Sequence, residues 1–549
     1  MRIQLLSAAA LWGLLMFPSM GWAQPPKSAK ELGEVQRTLH AVVKQVSPAV
    51  VRLEYDGGGG SSGVVFNESG LVLTHGHHTQ DIGKSLAIHF PDGRRAAAVW
   101  EGVYRGNSLD WSIIRITDKG IWPFAPLRKS DELALGTVCF RIGFPAELTL
   151  RSHDDRPKPL QLLRAGQIIE RDSAVVRASC GIVPGDSGGP LFDLEGRVIG
   201  LATAASCQGP VGGMWTRVSA ITSGQLDQLA SAATARKQFT RKAHPSTFAE
   251  PLNEVHQQVG RGTVTVMLNG KDVALGVVVK PQMILTKRSE ILSLSGDPVG
   301  QLHCKLSDGS QHPATQIGDI HEHDLALLQC EGCAVKPVKF SDEVPTLGEI
   351  VASVGSLPEP ATGVISCDGL HEIPPMQGNP GLPMAERGGQ ITVEKSGAIK
   401  DLPFDLKTMT LVGDRIRFGD IVTHVEGKEI TDHASYAKIV EKAVGGDQLQ
   451  LTILRSGKAS SVYVPTSSTH PPIAQQYPVS YRRTGFPQVI RHDAVVDRNL
   501  CGGPVIDTAG RVVGINIARA DIHQMLAIPS TTIQKLLEQL RAETKSQHE

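Results

Sequence analysis

The chain predicts a mainly β fold built from a duplicated unit, and three observations carry that prediction. Its 549 residues are 41% hydrophobic yet only 5% aromatic, with 57 glycines, a composition suited to several small β-rich cores. A pattern then recurs: Leu39, Val46 and Val51 return as Leu252, Val259 and Val264, Gly63-Val64-Val65 as Gly276-Val277-Val278, and Leu73-Thr74 as Leu285-Thr286. Asp110 has a counterpart in Asp324, and the segment Gly185 to Pro190 has one in Asn499 to Pro504. Finally, 77 positions separate Asp110 from Ser187 but 177 separate Asp324 from Cys501. The second copy therefore carries an insertion of about 100 residues, the size of a small domain.

Taken in order, residues 1–23 read as a secretory signal: Arg2, an apolar run from Leu5 to Met16, Pro18, and Gly21-Trp22-Ala23 as a small-x-small cleavage site. The run is short of the roughly 20 apolar residues that a spanning helix needs. The mature chain is expected in the periplasm or outside the cell, without a membrane span. Residues 24–34, rich in Pro, Lys and Ser, read as a disordered leader. The first copy is expected over 35–225, a basic polar linker over 226–247, the second copy over 248–370 and 480–545, and the insertion over 371–479. From Ser530 to Arg541, Ile533, Leu536, Leu537 and Leu540 stand at helical spacing and predict an amphipathic helix against the second copy.

The chemistry is concentrated in Gly185-Asp186-Ser187-Gly188-Gly189-Pro190. An acyl-transfer site must aim two backbone N–H groups at one developing oxyanion, and glycine reaches dihedrals that other residues resist. Gly185 and Ser187 fit that role, with Ser187 as nucleophile. A serine needs a base, and Leu71-Val72-Leu73-Thr74-His75-Gly76-His77 runs an apolar strand into a histidine, so His77 is the candidate base. Asp110, at the mouth of the alternating strand Leu109 to Ile116, is the candidate orienter that holds the imidazole in one tautomer. His75, His77 and His78 also raise a zinc site, but no carboxylate or cysteine stands at ligand spacing beside them, and no metal or other cofactor is expected.

These stretches, with Val46-Ser47-Pro48-Ala49-Val50-Val51-Arg52-Leu53, Ser61-Ser62-Gly63-Val64-Val65-Phe66 and Gly143-Phe144-Pro145, resemble the HtrA/Deg type of trypsin-like serine protease. The resemblance covers residues about 35 to 225. It implies two six-stranded antiparallel barrels with the triad in the cleft between them, and endopeptidase action on unfolded or damaged polypeptides. Asp186 departs from the pattern, which usually has asparagine there. In digestive relatives such an aspartate pairs with a new N-terminus, but no activation sequence is present here and its partner is not readable. The resemblance also puts Gly181, six residues before the serine, at the base of the primary specificity pocket. Without a carboxylate there, small or medium apolar side chains are expected before the cut.

By the same resemblance the chain holds two trypsin-like double barrels in tandem, the second interrupted by an α+β module. The second copy lacks the base: Ser289 replaces His77, while Asp324 remains and Cys501 stands for Ser187. Asn499 and Leu500 replace the oxyanion glycine and the aspartate after it. The second copy reads as a pseudoprotease, with His492 the one surrogate base considered. The insertion, through Arg417-Phe418-Gly419-Asp420-Ile421-Val422 and Leu449 to Gly457, resembles a PDZ domain of the kind found in bacterial proteases. That implies capture of peptide C-termini by strand addition, with Gly388-Gly389-Gln390-Ile391 or Gly381-Leu382-Pro383-Met384 as the carboxylate-binding loop. HtrA-like proteases usually carry the PDZ module directly after the active barrels and form trimers; here a second barrel pair intervenes.

Eight cysteines fit an oxidising compartment without forming a dense framework. Cys180 and Cys207 flank the serine motif, where a disulfide would brace the pocket, and Cys330-Glu331-Gly332-Cys333 has redox spacing but follows a strand, which favours a structural role. Fifty-five basic against fifty-five acidic residues give no electrostatic case for nucleic acid or an anionic membrane. Polypeptides are the expected partners, with a homo-oligomer as a further one. The rival to an endopeptidase is a non-catalytic peptide-binding scaffold built on the pseudoprotease and PDZ-like modules.

Overall fold

The computed structural model describes residues 25–55, 60–77, 82–106, 109–128, 133–145, 160–171, 175–205, 213–217, 247–355, 359–394, 416–468, 479–521 and 523–546. The secretory signal, His78, Cys207 and nearly all of the 226–247 linker lie outside the described residues.

An apolar spacing of three and four residues builds the first element. Leu32, Val35, Leu39, Val42, Val43 and Val46 fall on one face of a helix, Ala29–Val46, and are all buried. Ser28 caps it, its hydroxyl accepting the Glu31 N–H at 3.2 Å. The disordered leader read over 24–34 is thus corrected from Ala29 onward. Polar composition there marks a helix start and a solvent face, while Leu32 is fully buried.

Six strands from Val50–Glu54 to Leu109–Ile116 close one barrel, and six from Val138–Gly143 to Gly213–Arg217 close a second. The second copy repeats both. Strands from Thr263–Leu268 to Leu325–Cys330 close a third barrel. A seven-stranded sheet running from Ala361–Val364 to His371–Ile373 returns on itself through an Ile365–His492 bridge.

The repeat extends to single hydrogen bonds. Ser62 N–H donates to Ser187 O at 3.0 Å, and Leu275 N–H to Cys501 O at 2.9 Å; Gly188 N–H donates to Ala202 O at 2.7 Å, and Gly502 N–H to Asn516 O at 2.6 Å. Helix Ala249–Gly260 repeats the N-terminal helix: Val42 and Val46 press on Gly196 in one copy, Val255 and Val259 on Gly510 in the other. The two copies share a core in which Leu39, Phe140 and Phe192 join Ile350, Ile515 and Ile533. The helix predicted near the C-terminus spans Ser530–Ser546, with Ile533, Leu536 and Leu537 buried.

Within the insertion, six strands between Met384 and Pro465 form an antiparallel sheet with helix His433–Val440 and a separate core around Ile391, Val422, Leu451 and Val462. Asp432 caps that helix through a reciprocal box with Ser435. The module is wedged against the second copy: Gln448 Nε2 donates to Ser289 O at 2.9 Å, and the Glu426 carboxylate accepts Ser295 N–H at 2.8 Å. Among the described residues no helix is long and apolar enough to cross a membrane.

Candidate active site

The serine loop is shaped by glycines. Gly185 has φ 91° and Gly188 φ 78°, in the left-handed region that a side chain resists. A Cβ on Gly188 would lie 2.1 Å from Thr74 Oγ1 and 2.6 Å from His75 N, so only glycine lets Ser187 approach the end of the Leu71–Thr74 strand. Ser62 pins the loop from the other barrel, its hydroxyl donating to Gly185 O at 2.9 Å. Among the described residues neither the Gly185 nor the Ser187 N–H has an acceptor. Two donors adjacent to a hydroxyl are what an acyl-transfer transition state requires.

His77 stands just past the strand that Gly188 touches. Its Nδ1 bonds Asp110 Oδ2, and Gly76 N–H donates to Asp110 Oδ1 at 2.9 Å. Asp110 is fixed because its strand pairs Ser112 with Thr74, and Ser112 Oγ donates to His75 O at 2.8 Å. With Nδ1 donating to the carboxylate, Nε2 is the basic nitrogen. The His75 ring lies tilted by 31° with its centroid 4.1 Å from that of His77, and it bonds Tyr55 Oη at 3.1 Å. His75, His77 and Asp110 do bring ligand atoms within 4.8 Å of one another, yet His77 Nδ1 and Asp110 Oδ2 are committed to each other, and an ion would have to break that bond.

Asp186, whose partner the sequence left open, is fully buried between two arginines. Arg141 Nη1 lies 2.5 Å and Arg164 Nη1 2.9 Å from Asp186 Oδ2. The same carboxylate accepts Val183 N–H at 2.9 Å and so closes the turn leading into the serine. Sequence reasoning missed both arginines. Their one signal was an arginine in the middle of the wholly buried strand Val138–Gly143. Gly143 makes room for the pair, since a Cβ there would lie 2.8 Å from Asp186 Oδ1.

The second copy repeats the scaffold with other residues at these positions. Ser289 Oγ donates to Asp324 Oδ2 at 2.9 Å and Ser289 N–H to Asp324 Oδ1 at 2.7 Å, a fixed pair without a base. Buried Lys287 stands 3.8 Å and buried Arg482 3.9 Å from Asp324. Cys501 is fully buried, its Sγ 3.6 Å from Ser480 Oγ, and burial pushes its thiol up. The Cys501 N–H donates to Arg498 O at 3.2 Å within a 3₁₀ turn, so the donor corresponding to Ser187 N–H is consumed. His492 is not placed as a surrogate base: its Nε2 bonds Asn516 Oδ1 at 2.9 Å, and burial lowers it to about 4.

Cys180 and Cys139 are both buried and free, with sulfurs 4.0 Å apart, so Cys139 is the thiol neighbour of Cys180 among the described residues. Cys330 and Cys333 form a disulfide across the turn after their strand.

Comparison with known proteins agrees with this geometry. The trypsin-like peptidase domain family matches residues 61–201. A probable periplasmic serine endoprotease DegP-like from Ectopseudomonas mendocina is 25% identical over 437 residues, covering 73% of this chain and 78% of the relative. The putative serine protease HhoA of Synechocystis is 30% identical over 157 residues, or 27% of this chain and 37% of that protein. Human serine protease HTRA4 is 28% identical over 192 residues, 32% of this chain and 38% of its own length. The chain therefore contains a trypsin-like peptidase domain and is homologous to serine endoproteases of the DegP/HtrA type over most of its length.

Proposed function

We propose that the protein is an exported serine endopeptidase that hydrolyses unfolded or damaged polypeptides through an acyl-enzyme. The observation that carries this is that the serine loop, with its acceptor-free Gly185 and Ser187 N–H groups, meets through Gly188 the Thr74–His75 strand end that leads to the His77–Asp110 pair. Ser187 Oγ attacks the scissile carbonyl carbon while His77 Nε2 takes its proton. The N–H groups of Gly185 and Ser187 hold the oxyanion, each worth about 3 kcal/mol in sites of this kind. The C–N bond then breaks as His77 returns the proton to the leaving amine, and water repeats the sequence on the ester. Asp110 holds the imidazole in that orientation throughout. No cofactor enters any step.

The matching division of the chain is a protease unit over 35–225 with its helix starting at Ala29, a pseudoprotease over 248–370 and 480–545, and a PDZ-like module over 371–479. That module would capture peptide ends beside the Met384–Arg387 strand, whose Glu386 accepts the His433 N–H at 3.2 Å. Export fits the DegP-like relatives, whose names call them periplasmic.

Fluorophosphonate labelling tests the reading. An adduct on wild-type protein that is absent from Ser187→Ala supports it. No adduct on folded wild-type protein favours the non-catalytic scaffold.

A further inference from the structure

One contact joins the second copy to the floor of the first site. A Cβ built on Gly181 would lie 2.0 Å from His523 Cγ and 2.2 Å from Cδ2 and Nδ1, so the imidazole stands where a side chain at position 181 would go. His523 is 342 positions away in sequence and lies just past the Val512–Asp521 strand of the second copy. In trypsin-fold enzymes the side chain six residues before the nucleophile sets the primary specificity. Here that place is occupied from another module.

The hairpin tip is anchored, not merely adjacent. Arg164 Nη1 holds Asp186, its Nε donates to His523 O at 3.3 Å, and its Nη2 stands 3.7 Å from Asp521 Oδ2. His523 N–H donates to Asp521 Oδ1 at 2.6 Å, which holds the backbone of the tip. Neither ring nitrogen bonds a described residue, and the residue keeps partial exposure while Gly181 is buried. Burial, with Arg164, Arg141 and Arg519 nearby, holds the imidazole neutral, its pKa well below the usual value.

We propose that His523 of the second barrel pair forms the floor of the primary specificity pocket of the first, and that by filling it His523 restricts cleavage to small uncharged side chains of about alanine to valine size. Size follows from the volume of an imidazole placed where glycine leaves a gap. Charge follows from the balance behind it: Arg141 and Arg164 are matched by Asp186 and Asp521, and Arg519 by Asp497, so the floor offers no surplus carboxylate for Lys or Arg and no surplus cation for Glu. Asp521 is a positioning residue that keeps the tip in place through Arg164. This rests on Ser187 being the nucleophile beside that pocket.

The test is a peptide series varied only before the cut, as Ala, Val, Leu, Phe, Glu and Lys, with the full chain. For wild type the expected order of kcat/KM is Ala and Val first. For His523→Ala the Phe-to-Ala ratio rises about tenfold or more, since each methylene admitted to an apolar pocket is worth 10-fold or more. Gly181→Ala, which collides with the ring, lowers activity, and Gly181→Ala/His523→Ala restores it. A ratio that stays within about twofold in His523→Ala, a Glu or Lys preference in wild type, or no rescue in the double variant overturns the proposal. Binding of the same peptides, amide-capped, to Ser187→Ala and Ser187→Ala/His523→Ala reads the pocket without chemistry. A preference that shifts there supports the floor even if Ser187 proves unreactive; an unchanged preference overturns it.

Discussion

Arg141 Nη1 and Asp186 Oδ2 meet at 2.5 Å, with the arginine side chain 2% and the aspartate 0% exposed. The pair ties the loop Gly185–Ser187 to the buried Val138–Gly143 strand. Removing the carboxylate leaves two buried arginines without their shared partner. Asp186→Ala is expected to lose roughly 3–5 kcal/mol of stability, read as the denaturant midpoint, and to abolish fluorophosphonate labelling at temperatures where the protein stays folded. Arg141→Leu, which leaves Arg164 on Asp186, is expected to cost less on both readouts.

The His77–Asp110 bond predicts a tautomer effect. Asp110→Asn retains the shape but presents an amide to Nδ1, and kcat should fall about 10⁴-fold with KM little changed. Steady-state kinetics on an unstructured casein-like substrate checks this. A fall of less than about tenfold would exclude Asp110 as the orienter.

For the second copy the expectation is silence. Cys501 is buried, its thiol raised by burial and its N–H spent on Arg498, so iodoacetamide should modify it only after unfolding. Cys501→Ala should leave peptide hydrolysis within about twofold of wild type, whereas Ser187→Ala removes it.

Asp493 couples the two copies to pH. Its Oδ2 accepts Ala165 N–H of the first copy at 3.0 Å and its Oδ1 Val364 N–H of the second at 2.6 Å. Burial raises its carboxyl from 3.8 to about 6, against those hydrogen bonds and Arg164. The folded state therefore holds this proton more tightly than the unfolded chain. The contribution to stability is full below pH about 3.8 and is lost as pH rises through about 6, a swing of order 3 kcal/mol. Stability of wild type relative to Asp493→Asn should fall by that order between about pH 4 and 7, measured by urea unfolding.

How much of this was legible depended on distance along the chain. Ser187 with its glycines, His77 at a strand end and Asp110 at a strand mouth are each written in a few consecutive residues, because a strand or a tight turn is a local object. The repeat was legible because Leu252, Val259 and Gly276 had to fill the same places as Leu39, Val46 and Gly63. Arg141 was hidden by its apolar neighbours: a buried arginine announces a carboxylate but not which one. His523 had no signal at all, since its role arises where two modules pack. The helix start at Ser28 was obscured by a polar composition that serves a capped first turn as well as it serves disorder.

The shared core of the two barrel pairs has a thermodynamic consequence. Leu39 and Phe192 on one side and Ile350 and Ile515 on the other belong to one apolar cluster, and a backbone hydrogen bond crosses from Leu163 N–H to Ser366 O at 2.8 Å. Neither half can lose its packing without exposing the other. The two should melt as a single cooperative unit, so that a destabilising change in the second copy also unfolds the first.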